Sequence, residues 1–251
     1  MEIKFVTLNI WSGGRLLDEI VSFIKKENPD IIAMQEVRNG KDSRLEKPFR
    51  TMEIFKKELG FPHYAFSPAF INTLSIGNIE EGNAIFSMFP IIHDKVTFFG
   101  KQYGEFNSED SKHFELIPGI LQHAVIEHQS LKLNIFNAHG IWGFDGKDNE
   151  GRLKMSKIIV DEVKDKKNVI LAGDFNVKPN TKTIQNIEKY LKNVFKGELT
   201  TTFNMKQKVG EGYATSVVDM VFVSKNIRVI KHFCSEVDIS DHMPLVCILE
   251  L

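Results

Sequence analysis

Cysteine is nearly absent from this 251-residue chain: Cys234 and Cys247 are its only two. A reduced, buried pair is expected in preference to a disulfide, because nothing else in the sequence looks secreted. No apolar run approaches the ~20 residues of a bilayer span. The opening segment, MEIKFVTLN, carries charge where a secretory leader would be apolar, and a soluble, cytoplasmic protein is the expectation. Charge of one sign is lacking too, with 32 basic against 33 acidic residues, which excludes the global field of a dedicated duplex-binding protein. Lys25, Lys26, Lys56, Lys57, Lys164, Lys166 and Lys167 read as solvated helix faces. No Pro/Gly/Ser-rich linker or fixed-period repeat interrupts the chain, so one domain over 1–251, present as a monomer, is expected. Only two Trp and four Tyr accompany 20 Phe, an aromatic content suited to core packing.

What the chain does contain is a series of short apolar, β-branched runs. IKFVTLN, DIIAMQE, LKLNIFNAH and NVILAGD each close on a carboxylate, amide or imidazole. Helical periodicity occurs over Arg15 to Glu27, Thr51 to Leu59, Glu150 to Val163 and Thr183 to Leu191. GNAIFS, IIHDKVTFF, GILQHAVIEH, TSVVDMVFVS, IRVIKHF and MPLVCILEL read as further strands. Residues 100–115 are polar and aperiodic and are expected to form a loop over the site.

The polar closures have the composition of one phosphoester-cleaving site: Asn9 in TLNIW, Glu36 in MQEV, His139 in FNAHG, Asp174 and Asn176 in GDFN, and Asp241 with His242 in SDHMP. Strand ends deliver such groups to one rim of an open sheet, where ligands bind. Glu36 suits a hard divalent cation, since Mg²⁺ takes one or two protein carboxylates and completes its octahedron with water and substrate oxygens. Asp174 and Asn176, two apart on extended backbone, would share a face, the carboxylate activating water and the amide donating to a phosphoryl oxygen. The alternative at GDFN is a tight turn with Asx-type capping. His139 offers a phosphate-facing donor, or packs as an ordinary strand-end side chain. Asp241 and His242 are neighbours on an extended segment before Pro244 and would point to opposite faces, so a different carboxylate must buttress His242. Asp219 is the candidate, because it interrupts the apolar run SVVDMVFV and a buried carboxylate requires a partner. Trp142 and Phe144 follow His139 closely and form either an aromatic surface for substrate or a packed loop.

In this order along the chain, TLNIW, QEV, GNAIFS, NAHG, GDFN, the strand bearing Asp219, and SDHMPLV resemble the endonuclease/exonuclease/phosphatase superfamily. The resemblance implies an α/β fold of deoxyribonuclease type: a four-layer α/β/β/α sandwich in which two mixed β-sheets are flanked by helices, with the site at one end. It further implies that Glu36 is the metal ligand, with Asn9 and Asp241 completing or flanking the metal site, and that Asp174 positions or activates the nucleophilic water. Asn176 and His139 would bind phosphate, and His242 with Asp219 would stabilise the transition state or move a proton. Members specialised for abasic DNA carry a lysine-bearing continuation after the QE pair and a tyrosine in place of His139. MQEVRNG and FNAHG depart from both, so abasic-site cleavage is not expected.

The function expected is hydrolysis of a phosphodiester by direct water attack with Mg²⁺, or Mn²⁺ as a substitute. The alternatives are a nuclease for single-stranded or short nucleic acid, a lipid or inositol head-group phosphatase, and a phosphate-binding module without turnover. The expected partner is thus a phosphoester substrate, with no dedicated duplex-DNA surface.

Overall fold

A computed structural model describes residues 2–108, 116–208 and 216–251. One sheet contains β1 (Glu2–Asn9), β2 (Ile31–Arg38), β3 (His63–Leu74), β4 (Gly77–Ser87), β6 (Glu105–Phe106), β12 (Arg228–Cys234) and β13 (Leu245–Glu250). The other contains β5 (Ile91–Phe98), β7 (Ile120–His128), β8 (Leu131–His139), β9 (Val169–Asp174), β10 (Lys192–Asn193) and β11 (Asp219–Val223). Their strand orders are β12-β13-β1-β2-β4-β3-β6 and β10-β11-β9-β8-β7-β5. Each sheet is mixed, with β1 parallel to β2, β8 parallel to β9, and antiparallel neighbours around them.

The near-continuous apolar runs follow from burial on both strand faces. Ile3, Phe5, Ile31 and Ala33 meet Ile135, Ile170, Ala172 and Val221 between the sheets. The alternate residues Val6, Leu8, Ile32 and Met34 pack beneath α1 (Leu17–Glu27) and α2 (Thr51–Glu58). Phe136, Val169, Leu171 and Phe222 likewise pack against α3 (Glu150–Val163) and α4 (Lys182–Glu188). The molecule is therefore layered helix, sheet, sheet, helix. No helix of the described residues is long and apolar enough to cross a membrane.

Several boundaries differ from the sequence reading. Helix α1 begins at Leu17, because Gly13 and Gly14, at φ 80° and 81°, hold residues 11–16 in turns. β3 was not foreseen: it carries Pro68 at an irregularity in its pairing with β4, a place where a missing N–H is tolerated. Inside the loop expected over 100–115, Glu105 and Phe106 pair with Ile71 and Asn72 of β3, and 109–115 lie outside the described residues. Cys234 and Cys247 are free thiols, the latter buried.

Candidate active site

The second sheet aligns three polar side chains in one transverse row. His139 lies opposite Asp174 across the parallel β8/β9 pair, and Asp219 lies opposite Asp174 across the antiparallel β11/β9 pair. Directly paired residues share a face, so all three address the same side. Gly173 permits this alignment: its φ is 134°, and a Cβ there would lie 2.0 Å from the Ala138 carbonyl oxygen.

The first sheet approaches this row with Asn9 and Glu36. Glu36 is not at a strand end, as the sequence reading had it, but inside β2, which continues to Arg38. The register against β4 slips between Met34 and Val37, and Glu36 has φ 61°, so a bulge re-aims the carboxylate. Asn9 Nδ2 donates to Glu36 Oε1 at 2.9 Å and to Asp174 Oδ2 at 3.2 Å, bringing a carboxylate from each sheet to one amide. The Ser12 N–H donates to Glu36 Oε2 at 2.5 Å, and the Trp11 N–H to Asn9 Oδ1 at 3.0 Å. His139 Nε2 is 3.9 Å from Glu36 Oε1 and 3.9 Å from Asp174 Oδ2. Among the described residues, four of the eight non-glycine positive-φ positions are here, at Trp11, Ser12, Glu36 and Asn176. Such backbone persists only where its surroundings over-determine it.

GDFN corrects another expectation. Asn176 is left-handed (φ 54°), and its N–H donates to Asp174 Oδ1 at 2.8 Å. The pair forms the Asx-type turn, not an extended segment with a shared face. The turn still leaves Asp174 Oδ2 in the site, and Asn176 is buried beside it.

His242 and Asp219 join the same constellation. His242 Nδ1 is 2.9 Å from Asp219 Oδ2, while Nε2 is 3.9 Å from both Asp174 Oδ2 and Asp241 Oδ1. Ser240 fixes the approach, its Oγ donating to the Asn9 carbonyl at 2.7 Å and accepting from the His242 N–H at 3.2 Å. Asp241 Oδ2 is engaged by Lys208 Nζ at 2.8 Å. Lys208 was not singled out from sequence, since a lysine in a polar stretch carries no pattern.

Exposure separates the groups. The side chains of Asp174, Asp219 and His242 are 3%, 4% and 6% exposed, whereas those of Glu36 and His139 are each 22% exposed. The last two therefore meet solvent first. Burial pushes the Asp174 carboxyl up, Asp219 adds to this, and His242, His139 and the Asn176 N–H only partly oppose it. Burial works against the His242 cation, yet Asp219, Asp241 and Asp174 outweigh it and push the imidazole up to about 10. Glu36 is held below its usual value because His139, the Ser12 N–H, the Asn9 amide and His242 together overcome its burial.

Two placements for a cation can be compared. Oxygens of Asp174 and Asp219 and a ring nitrogen of His242 lie within 4.8 Å of one another. A metal-binding imidazole must be deprotonated, however, whereas Asp219, Asp241 and Asp174 raise the proton affinity of His242, whose Nδ1 is already paired with Asp219 Oδ2. Glu36 is the better fit. It is a charged carboxylate at the solvent-facing side of the site, close to oxygen-bearing Asp174, a hard donor set of the kind Mg²⁺ takes. Asn9 Oδ1 accepts from the Trp11 N–H and Asp241 Oδ2 from Lys208, which leaves each residue acceptor capacity to complete or flank the position.

A cleft of about 340 Å³ opens on these groups, lined by Glu36, His139, Asp241, Lys208, Trp11 and Trp142 among others. Both tryptophans of the chain thus line one cleft. The Arg15 guanidinium lies 4.8 Å over the Trp11 ring, and Phe144, 74% exposed, meets Trp142 edge-on at 4.7 Å. Fully buried Arg152 anchors this second loop through the Ile141 and Lys147 carbonyls at 3.2 and 2.6 Å. Larger cavities lined by residues between 178 and 232 contain none of the converged groups.

Residues 6–242 match the Endonuclease/Exonuclease/phosphatase family. The chain belongs to that family. Its members are hydrolytic phosphoesterases, typically dependent on a divalent metal. No curated protein matches the sequence. Solved structures agree on the fold. An endonuclease/exonuclease/phosphatase from Bacteroides vulgatus superposes with a TM-score of 0.72 at 18% identity, covering 100% of this chain and 99% of that one. The catalytic domain of human Nocturnin with bound sulfate gives 0.73 at 16% identity, covering 99% and 94%. D. rerio TDP2 complexed with single-strand DNA product gives 0.73 at 13% identity, covering 100% and 99%. At these identities the likeness concerns the fold, the two-sheet sandwich with flanking helices.

Proposed function

We propose that this member of the family is a Mg²⁺-dependent phosphodiesterase that hydrolyses its substrate by direct attack of water, with Mn²⁺ able to substitute. The observation that carries the reading is the Asn9 amide, which joins Glu36 and Asp174 across the two sheets within reach of His139 and the Asp219–His242 pair. Carboxylates outnumber the cationic side chains there, so a phosphoester anion would be repelled without a bound cation. Glu36 would hold a divalent ion, which would supply that charge and polarise a phosphoryl oxygen.

The protein's own groups divide the remaining work. Asp174, with its raised proton affinity, aims a water and accepts its proton. His139, partly exposed beside it, donates to a phosphoryl oxygen, and Asn176 contributes at the GDFN turn. Charged His242, held by Asp219, stabilises negative charge as it develops. No covalent enzyme intermediate is needed, since no nucleophilic side chain is required at the reacting phosphorus.

A second reading, cleavage of single-stranded or short nucleic acid, is favoured by half-buried Trp11 and Trp142 lining the cleft, because aromatic rings that line a groove can stack unpaired bases. The test is a panel with purified protein and Mg²⁺: generic phosphodiesters and monoesters, single- and double-stranded DNA, RNA, abasic duplex and phospholipid. Diester hydrolysis that is lost on chelation is the expected result. Preferential incision at abasic sites, or turnover of monoesters alone, would reassign the substrate.

A further inference from the structure

The segment Thr202 to Lys208, which sequence patterning passed over, acts as a strap around the site. Thr202 Oγ1 accepts from the Val218 and Asp219 N–H groups at 3.0 and 3.1 Å, so it supports the backbone that carries Asp219. Phe203 is bridged to His242, and the two rings meet edge-on at 4.7 Å. Asn204 donates twice to the segment that precedes β13: its N–H to the Asp241 carbonyl and its Nδ2 to the Ser240 carbonyl, each at 2.9 Å. The Lys208 N–H returns to the Asn204 carbonyl at 2.9 Å. The strap therefore positions Lys208 from the same backbone that positions Asp219, Asp241 and His242.

Its ammonium lies 2.8 Å from Asp241 Oδ2 and 4.7 Å from the Phe203 ring centroid, and the residue lines the cleft with Glu36 and His139. We propose that Lys208 is a substrate-binding residue whose ammonium holds a phosphoryl oxygen on the Asp241 side of the cleft. This rests on the phosphoesterase reading. An ammonium has three donors, and Asp241 occupies one. Fixed between a buried carboxylate and an aromatic face, it offers the rest to a cleft that is otherwise rich in carboxylates, and the anchored strap places it there before substrate arrives. If Lys208 served only to neutralise Asp241, removing the Asp241 charge as well, in K208M/D241N, would return phosphate affinity to the wild-type value.

The experiment is calorimetric titration of inorganic phosphate into wild-type, K208M, K208R and K208M/D241N proteins at saturating Mg²⁺, alongside Mg²⁺ titrations without phosphate. K208M should weaken phosphate binding by roughly tenfold or more, as expected for loss of a charged hydrogen bond, while K208R keeps most of it and Mg²⁺ affinity does not fall. Should K208M fail to fold by circular dichroism, K208Q removes the charge and retains a donor to Asp241. Wild-type phosphate affinity in K208M, or its recovery in K208M/D241N, would overturn the proposal, the latter by assigning Lys208 to Asp241 alone. Absence of phosphate binding to Mg²⁺-loaded wild type would overturn the proposal alone, because the phosphoesterase reading stands or falls on diester hydrolysis in the substrate panel.

Discussion

His242 Nδ1 and Asp219 Oδ2 are 2.9 Å apart, on side chains that are 6% and 4% exposed. In that setting the carboxylate both orients the imidazole and keeps its proton on. Asp219→Asn preserves the size of the partner and removes its charge. Turnover should fall by ~10²-fold or more with the fold retained, and the alkaline limb of the pH–rate profile should move to lower pH. Steady-state rates across pH check this, and an unchanged profile would remove His242 from the charged role.

The same pair should be visible in stability. The His242 proton affinity rises from an ordinary 6.5 to about 10 on folding. The folded state thus binds this proton more tightly, so the contribution is complete below pH 6.5, declines as pH rises, and is lost beyond about 10. Denaturant unfolding across that window should show wild type losing more stability than His242→Gln. Parallel pH dependences would contradict the assignment.

Glu36 and Asp174 share the Asn9 amide but should respond differently to metal. Glu36→Gln retains an oxygen and loses the charge, so its Mg²⁺ activation curve should shift to higher concentration, with activity partly restored by excess metal. Asp174→Asn should lose ~10²-fold or more in turnover that metal does not restore. Chelation should stop wild-type turnover and leave the circular dichroism spectrum intact. An Glu36→Gln curve that overlays wild type would exclude Glu36 as the ligand.

Beside the bulge, Arg38 Nε lies 2.8 Å from Glu81 Oε2, with both side chains 8% exposed, and Asn72 Nδ2 donates to the same oxygen at 2.8 Å. Burial pushes the Glu81 carboxyl up against the pull of Arg38. Arg38→Met should cost about 3–5 kcal/mol by leaving Glu81 buried without its cation. Adding Glu81→Gln should recover much of that loss, because the charge is then gone. Urea midpoints for the two single variants and the double variant measure the coupling, and simple additivity would show that the pair does not act as a unit.

The sequence by itself determined the elements whose residues are governed by local pattern. α3 begins and ends where periodicity predicts, and β1, β2, β8 and β9 follow their apolar runs, because burial on both faces leaves a continuous signature. The motif residues Asn9, Glu36, His139, Asp174, Asp219 and His242 were also nameable, as polar groups that border apolar runs and a lone carboxylate within one. Their distances were not. Those depend on sheet register, on the bulge at Glu36 and on the Asx turn at Asn176, where a one-residue change redirects a side chain without altering composition. Residues that act through long-range contact left no local trace. Asn137 is one such, accepting from Gln35 Nε2 at 2.6 Å and donating to the Met34 carbonyl at 3.0 Å beneath the site; Lys208, on the strap, is another. A polar residue on an otherwise apolar strand, or a lysine in a loop, is assigned its role only by the groups that the packed sheets bring within hydrogen-bond reach.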